Sequence, residues 1–166
     1  MDNITLIGMP GSGKSTVGVV LAKTLGMDFV DTDLMIQKRE GKLLQRILDE
    51  QGIKRFLEIE EEVIRNLSCR GCIVAPGGSA VCREEAARHL KRLGRVVYIR
   101  LPLPDLALRI HNIKTRGIAA EPGQTLESIY ELRCPLYEKY ADITVDAEGK
   151  TVEQLVTEIV SKLKTP

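Results

Sequence analysis

Apolar residues along this chain alternate between short unbroken runs and stretches spaced at three and four. The run "NITLIGM" (3–9) ends in glycine and predicts a buried strand feeding a loop. From Ser15 to Leu25 the positions Val17, Val20, Leu21 and Leu25 recur at helical spacing, and Gly26 ends that helix. "DFVD" (28–31) reads as a second strand, and 33–51 as one or two helices interrupted near Gly41. Phe56, Ile59, Val63, Ile64 and Leu67 mark an amphipathic helix over 53–68. "CIVAPGG" (72–78) is a buried strand breaking into a glycine-rich loop, followed by a helix over 83–93 and the strand "RVVYIRL" (95–101). A helix over 104–113 leads to "KTRGIAAEPGQ" (114–124), which has small residues, no periodicity and the look of a mobile loop. The next helix starts near Thr125, "ITVDA" (143–147) is a last strand, and Thr151 with Gln154 forms a capping box for a final helix.

Strands that alternate with helices imply parallel βαβ units, so the expected fold is α/β, a five-stranded parallel sheet covered by helices on both faces. No repeat, low-complexity tract or linker divides the chain, and 1–166 reads as one domain.

Composition narrows the function. With 24 basic and 23 acidic residues the net charge is +1, and 43% of residues are apolar. That balance carries no basic footprint for nucleic acid. No apolar run reaches the roughly 20 residues that cross a bilayer. "MDNITLIG" lacks the basic start of a signal peptide, so a cytoplasmic protein is expected, and a monomer. "CRGC" (69–72) has the spacing of half a zinc site or a redox pair, but Cys82 and Cys134 supply no second close pair. Reduced thiols are the simpler reading.

The chemistry begins at "GMPGSGKSTVG" (8–18). Gly8, Gly13, Lys14 and Ser15 fit G-x-x-x-x-G-K-[ST] between a predicted strand and a predicted helix. Such a loop turns backbone N–H groups onto phosphates, with Lys14 reaching the β- and γ-phosphates and the Ser15 hydroxyl taking Mg²⁺. Gly11, Ser12, Gly13 and Thr16 belong to the same ATP-binding loop. "DTD" (31–33) follows the second strand, at the sheet edge where α/β folds bind ligands. One carboxylate there can hold Mg²⁺ through water and the other can take a proton from an attacking hydroxyl, although either can also simply cap the next helix. Three arginines are candidates: Arg109 before the mobile loop, Arg116 inside it, and Arg133 in "RCPLYEKYAD", where Pro135 should disturb the helix.

These residues together resemble the shikimate kinase family: the loop with "STVG", then "LGMDFVDTD", "GG" after the third strand, "VVYI", and "RCPLYEKYAD". The likeness covers nearly the whole chain. It implies a P-loop kinase of nucleoside monophosphate kinase type, with 114–124 as a lid. It also implies ATP with Mg²⁺ and a small hydroxylated acid as partners. Lys14, Asp33 and Arg116 would be catalytic, and Ser15 and Asp31 would hold the metal. Arg109 would pack on adenine, while Asp33, Gly77, Gly78 and Arg133 would bind the acceptor.

The departures lie on the acceptor side. Leu57 stands where the resemblance implies a carboxylate-binding arginine, and Arg55 lies about 200° around the helix from it. Leu57 also aligns with Ile64 at i+7 and can extend the core. "PGGS" (76–79) replaces a threonine and three glycines, and "GIA" follows Arg116. Losing one of two arginines on a carboxylate weakens shikimate by roughly ten- to a few hundredfold. Three readings follow: a shikimate kinase, a kinase of a hydroxy amino acid whose ammonium meets Glu60, or an ATP-binding module that transfers nothing.

Overall fold

The protein is described by a computed structural model over residues 2–111 and 116–166. Five strands form one parallel sheet in the order β2-β3-β1-β4-β5. They are β1 (Asn3–Ile7), β2 (Asp28–Asp31), β3 (Cys72–Ala75), β4 (Gly94–Arg100) and β5 (Ile143–Asp146). The connections carry helices α1 (Lys14–Leu25), α2 (Thr32–Glu40), α3 (Leu44–Arg65), α4 (Glu84–Leu93), α5 (Leu103–Arg109), α6 (Leu126–Tyr140) and α7 (Val152–Lys164). All five β1 residues are buried, Asn3 and Thr5 included, because both sheet faces are covered. Asn3 survives burial through its amide, which donates to the Cys69 carbonyl at 2.8 Å and accepts from the Cys72 N–H at 2.9 Å. That pair stitches the lead-in of β3 to the central strand.

Strand order reverses beside β1: the chain moves from β1 out to β2, returns through β3, then crosses to β4 on the other flank. From the carboxyl ends of β1 and β3 the chain runs on to opposite flanks, and the crevice there is the place where such sheets take ligands.

Two local expectations change, at the helix before residue 110 and at Pro135. The helix read over 104–113 stops at Arg109, because Ile110 turns to extended backbone and buries its side chain against Gly11. Residues 112 and 113 of that reading lie outside the described residues. The expected boundary between helices ending at 51 and starting at 53 appears as non-helical Gly52 (φ 80°, ψ 169°) inside α3, whose second half ends at Arg65 rather than 68. Pro135 stands inside α6 without ending it; it removes only the N–H that would reach the Glu131 carbonyl. Gly41 does separate α2 from α3, as an αL cap. The four cysteines are free thiols, and burial and the neighbouring Cys72 sulfur push Cys69 up to about 11, which leaves it a poor nucleophile. No described helix is long and apolar enough to cross a membrane.

Gly94 faces Asn3 in the β1–β4 ladder, and a Cβ there would lie 1.9 Å from the Asn3 carbonyl oxygen. Backbone cannot step aside as a side chain can. Gly94→Ala is therefore expected to lower unfolding stability by about 3 kcal/mol or more in a urea titration. A loss under about 0.5 kcal/mol would mean that this strand pair is not held as described.

Candidate active site

The loop after β1 ends on Gly13, which adopts the left-handed region (φ 97°) and begins α1 without a capping side chain. The first-turn N–H groups of α1 are thus left for an anion. Lys14 is nearly buried, and its ammonium donates to the Gly8 and Met9 carbonyls at 2.9 Å each. Burial lowers its pKa to about 8, with Asp33 as the main opposing influence. Ser15 and Thr16 are exposed at the rim. Ser12 is different: its side chain is buried without a partner and its N–H is committed to the Met9 carbonyl.

Asp31 caps α2, one carboxylate oxygen accepting from the N–H groups of Asp33 (2.9 Å) and Leu34 (3.2 Å). This cap fixes the first turn of α2 and so presents Asp33 to the crevice. Burial, with Asp31 next, raises Asp33 to about 6 against the pull of Lys14. The loop after β3 closes the opposite side. A Cβ at Gly77 would fall 2.7 Å from Asp33 Oδ1 and 2.9 Å from Glu60 Oε2, so only glycine fits between the two carboxyls.

The crevice is a cavity of about 500 Å³. Lys14, Ser15 and Thr16 line its donor end with Gly11, Gly13, Arg109 and Arg116. Asp33, Gly77, Gly78 and Arg133 line the acceptor end. Arg109 donates to the Gly11 carbonyl and Arg116 to the Arg109 carbonyl, each at 3.1 Å. Arg133 is 3% exposed, donates from Nη2 to the Ala119 carbonyl, and leaves Nε and Nη1 without partners. A buried guanidinium with two free donors is built to receive an anion.

Three of the residues singled out from the sequence do not line this cavity: Ser12, Asp31 and Glu60. Glu60 is fully buried behind Gly77. Arg55 is no replacement for a basic residue at 57, since it pairs with Glu58 and Glu62 at the surface, while Leu57 packs in the cluster of Ile36, Phe56 and Ile59. An apolar wall made by Leu44, Phe56, Ile118 and Ala119 also lines the cavity, with no signal in the sequence pattern that these residues meet there. Ile118 and Ala119 are buried, and the Gly117 N–H bonds the Gln45 side chain at 3.0 Å, so 117–119 are seated on α3. A larger opening of about 950 Å³ lies between 120–124 and the α3 kink, away from Lys14 and Asp33.

Comparison with known proteins now decides the family. A sequence model described as shikimate kinase matches residues 10–164. The shikimate kinase of Pasteurella multocida is 39% identical over 162 residues, covering 95% of this chain and 93% of that protein. That of Chromobacterium violaceum is 39% identical over 164 residues, covering 97% and 89%. The chain belongs to the shikimate kinase family. Solved shikimate kinases superpose along their whole length. The Acinetobacter baumannii enzyme in complex with shikimate gives a TM-score of 0.90 at 30% identity, covering 100% of this chain and 96% of that one. The Aquifex aeolicus enzyme gives 0.85 at 36% identity, covering 98% and 96%. A thymidylate kinase from Candida albicans, at 16% identity, shares the fold alone.

The buried carboxyls of this kinase fold make a pH prediction. Glu60 is raised from 4.5 to about 7, by burial first, with the Ser79 hydrogen bond opposing. The folded pKa lies above the unfolded one, so stability is full below about 4.5 and is lost as pH rises toward 7. Asp33 adds in the same direction. Unfolding free energy is expected to drop between pH 5 and pH 8, and Glu60→Gln to remove about 2–3 kcal/mol of that drop. Parallel urea midpoints for the two proteins across this range would contradict the burial of an ionisable Glu60.

Proposed function

We propose that this protein transfers the γ-phosphoryl group of ATP to a hydroxyl of shikimate, as one domain working as a monomer in the cytoplasm. The observation that carries the reading is the single cavity where Lys14 and Arg116 meet Asp33 and Arg133. Phosphoryl transfer asks a protein mainly for alignment and charge, and this cavity supplies both.

At the donor end, the free N–H groups of α1 take the phosphates, and Lys14 trades its two carbonyl partners for the β- and γ-phosphates. Their charge restores a fully protonated Lys14. Arg109, which donates to the Gly11 carbonyl, would stack on adenine. Arg116 reaches the transferring group from the 114–124 segment, which acts as a lid, of which 114 and 115 lie outside the described residues. The donors near the phosphates are hard oxygens, the Ser15 hydroxyl and the Asp31 and Asp33 carboxyls, and these suit Mg²⁺. No three His, Cys, Asp or Glu among the described residues gather to hold a metal unaided. Ser15 would therefore bind Mg²⁺ alongside phosphate oxygens, and Asp31 would hold it through water from the oxygen not engaged in the cap. Bound there, the ion neutralises charge that builds on the β- and γ-phosphates.

At the acceptor end, Asp33 orients the hydroxyl and takes its proton as the oxygen attacks the γ-phosphorus. With a pKa of about 6 it is mostly ionised at neutral pH yet basic enough to accept that proton. The free Nε and Nη1 of Arg133 take the acceptor carboxylate, while Gly77 and Gly78 keep the floor clear of side chains. Phe56, Ile118 and Ala119 cover the carbon ring and exclude water. An ammonium-bearing acceptor fits less well, because Glu60 lies behind Gly77 rather than on the wall.

The test is ADP release from Mg-ATP, which shikimate should stimulate with saturation. Arg133→Ala should raise the shikimate KM at least about tenfold with the ATP KM within about twofold. Arg116→Ala should cut kcat by about a hundredfold or more while leaving ATP binding nearly intact. Equal loss of ATP affinity and turnover in Arg116→Ala would remove it from the transfer step.

A further inference from the structure

Glu60 has no part in the transfer step, yet it is a wholly buried acid beside the reacting centre. It projects from α3 and is 1% exposed. Its Oε1 accepts from the Ser79 hydroxyl at 2.7 Å, and its Oε2 has no partner. Leu57 is apolar and Arg55 is committed elsewhere, so Ser79 is its one hydrogen-bond partner among the described residues.

Ser79 belongs to a tight turn in which the Ala80 N–H bonds the Gly77 carbonyl (3.1 Å) and the Cys82 N–H bonds the Ser79 carbonyl (3.0 Å). This turn is held at three points. Tyr137 donates its hydroxyl to the Gly78 carbonyl at 2.6 Å. Gly78 lies against Pro10, where a Cβ would meet the ring at 2.7 Å. The third hold is Glu60 on Ser79. The Tyr137 phenol is pushed up by burial and stays neutral, and Pro10 carries no charge. Only the third hold can change its charge near neutral pH.

We infer that Glu60 is a positioning residue for the acceptor: through Ser79 it fixes the Gly77–Gly78 backbone beside Asp33, and it holds that backbone firmly only while ionised. The physical reason is that a carboxylate is a stronger acceptor for a hydroxyl than the oxygen of a neutral acid. Burial places the change of charge at about pH 7. The groups facing Glu60 are Asp33 from α2, Lys14 from α1, Arg133 from α6 and Cys82 from the turn. Asp33 favours the neutral form, and Lys14 and Arg133 favour the ionised one. Filling the donor site with phosphate also cancels the pull of Lys14, so nucleotide and acceptor are coupled through this carboxyl. The role in acceptor binding rests on the function proposed above, but the hold on the turn does not.

Two measurements on Ser79→Ala and Glu60→Gln separate these. The first is hydrogen exchange at the Ala80 amide in the free protein, corrected for the intrinsic rate. In the native protein its protection, taken relative to amides that exchange only by global unfolding, should fall from pH 8 to pH 6, against the rise in global stability over the same range. Glu60→Gln, which keeps an oxygen for Ser79 but no charge, should show the same lower protection at both pH values. Ser79→Ala should be weakly protected throughout. The second is steady-state kinetics with shikimate. Ser79→Ala should raise the shikimate KM about tenfold with the ATP KM within about twofold, and Glu60→Gln should abolish the pH 7 limb of the shikimate KM. Native-like Ala80 protection in both variants at both pH values overturns the inference. A normal exchange response in a protein that leaves shikimate unphosphorylated keeps the hold on the turn and overturns the acceptor reading.

Discussion

The site depends on the contact between two loops, one leaving β1 and one leaving β3, that meet at the reversal of strand order. Gly78 touches Pro10 so closely that no side chain fits between them. That contact sets the distance from the phosphate-binding turn to the floor of the acceptor pocket. The sheet makes it possible, since parallel strands send both loops from the same edge. The β1–β3 ladder fixes their relative height. Tyr137 and Glu60 then hold the second loop from α6 and α3, so that four elements converge on a few residues of backbone.

Around this contact the protein keeps charges it does not fully pair. Lys14 rests on two carbonyls, Arg133 has two nitrogens unpartnered, and Glu60 has a free oxygen. Buried polar groups without partners normally cost stability. Here they face or flank a cavity, and in the proposed reaction phosphate would complement Lys14 and carboxylate would complement Arg133. Surface ion pairs such as Arg46–Glu50 or Arg88–Glu84 lie far from this logic and contribute little.

Much of this was legible in the sequence. The strand–glycine loop–helix pattern located Lys14 and Ser15, because that spacing has few other uses. Asp33 was found by its position after the second strand, whereas Arg109, Arg116 and Arg133 gained their weight from the family resemblance, and all four line one cavity. What escaped was the direction of side chains inside loops. Ser12 sits among ATP-binding residues in the motif, yet its hydroxyl turns inward, which depends on local dihedrals that the motif does not encode. From the sequence Glu60 is offered as the partner of an acceptor ammonium, but the backbone of Gly77 intervenes. The segment after Arg116 reads as loose because it lacks periodicity. Ile118 and Ala119 are nevertheless buried, one in the main core and one with Phe56 and Ile59, through contacts to α3 that are distant in sequence. Leu57 is the reverse case: the apolar explanation from its i+7 spacing is the one its packing supports.

The central claim is that one cavity carries a phosphoryl group from ATP to shikimate. The most direct measurement is phosphorus NMR of a reaction containing the protein, Mg-ATP and shikimate. The account predicts that the γ-phosphate resonance is replaced by a phosphate monoester coupled to a ring proton of shikimate, in equal amount to the ADP formed. ATP left intact, or converted only to ADP and inorganic phosphate, would contradict it.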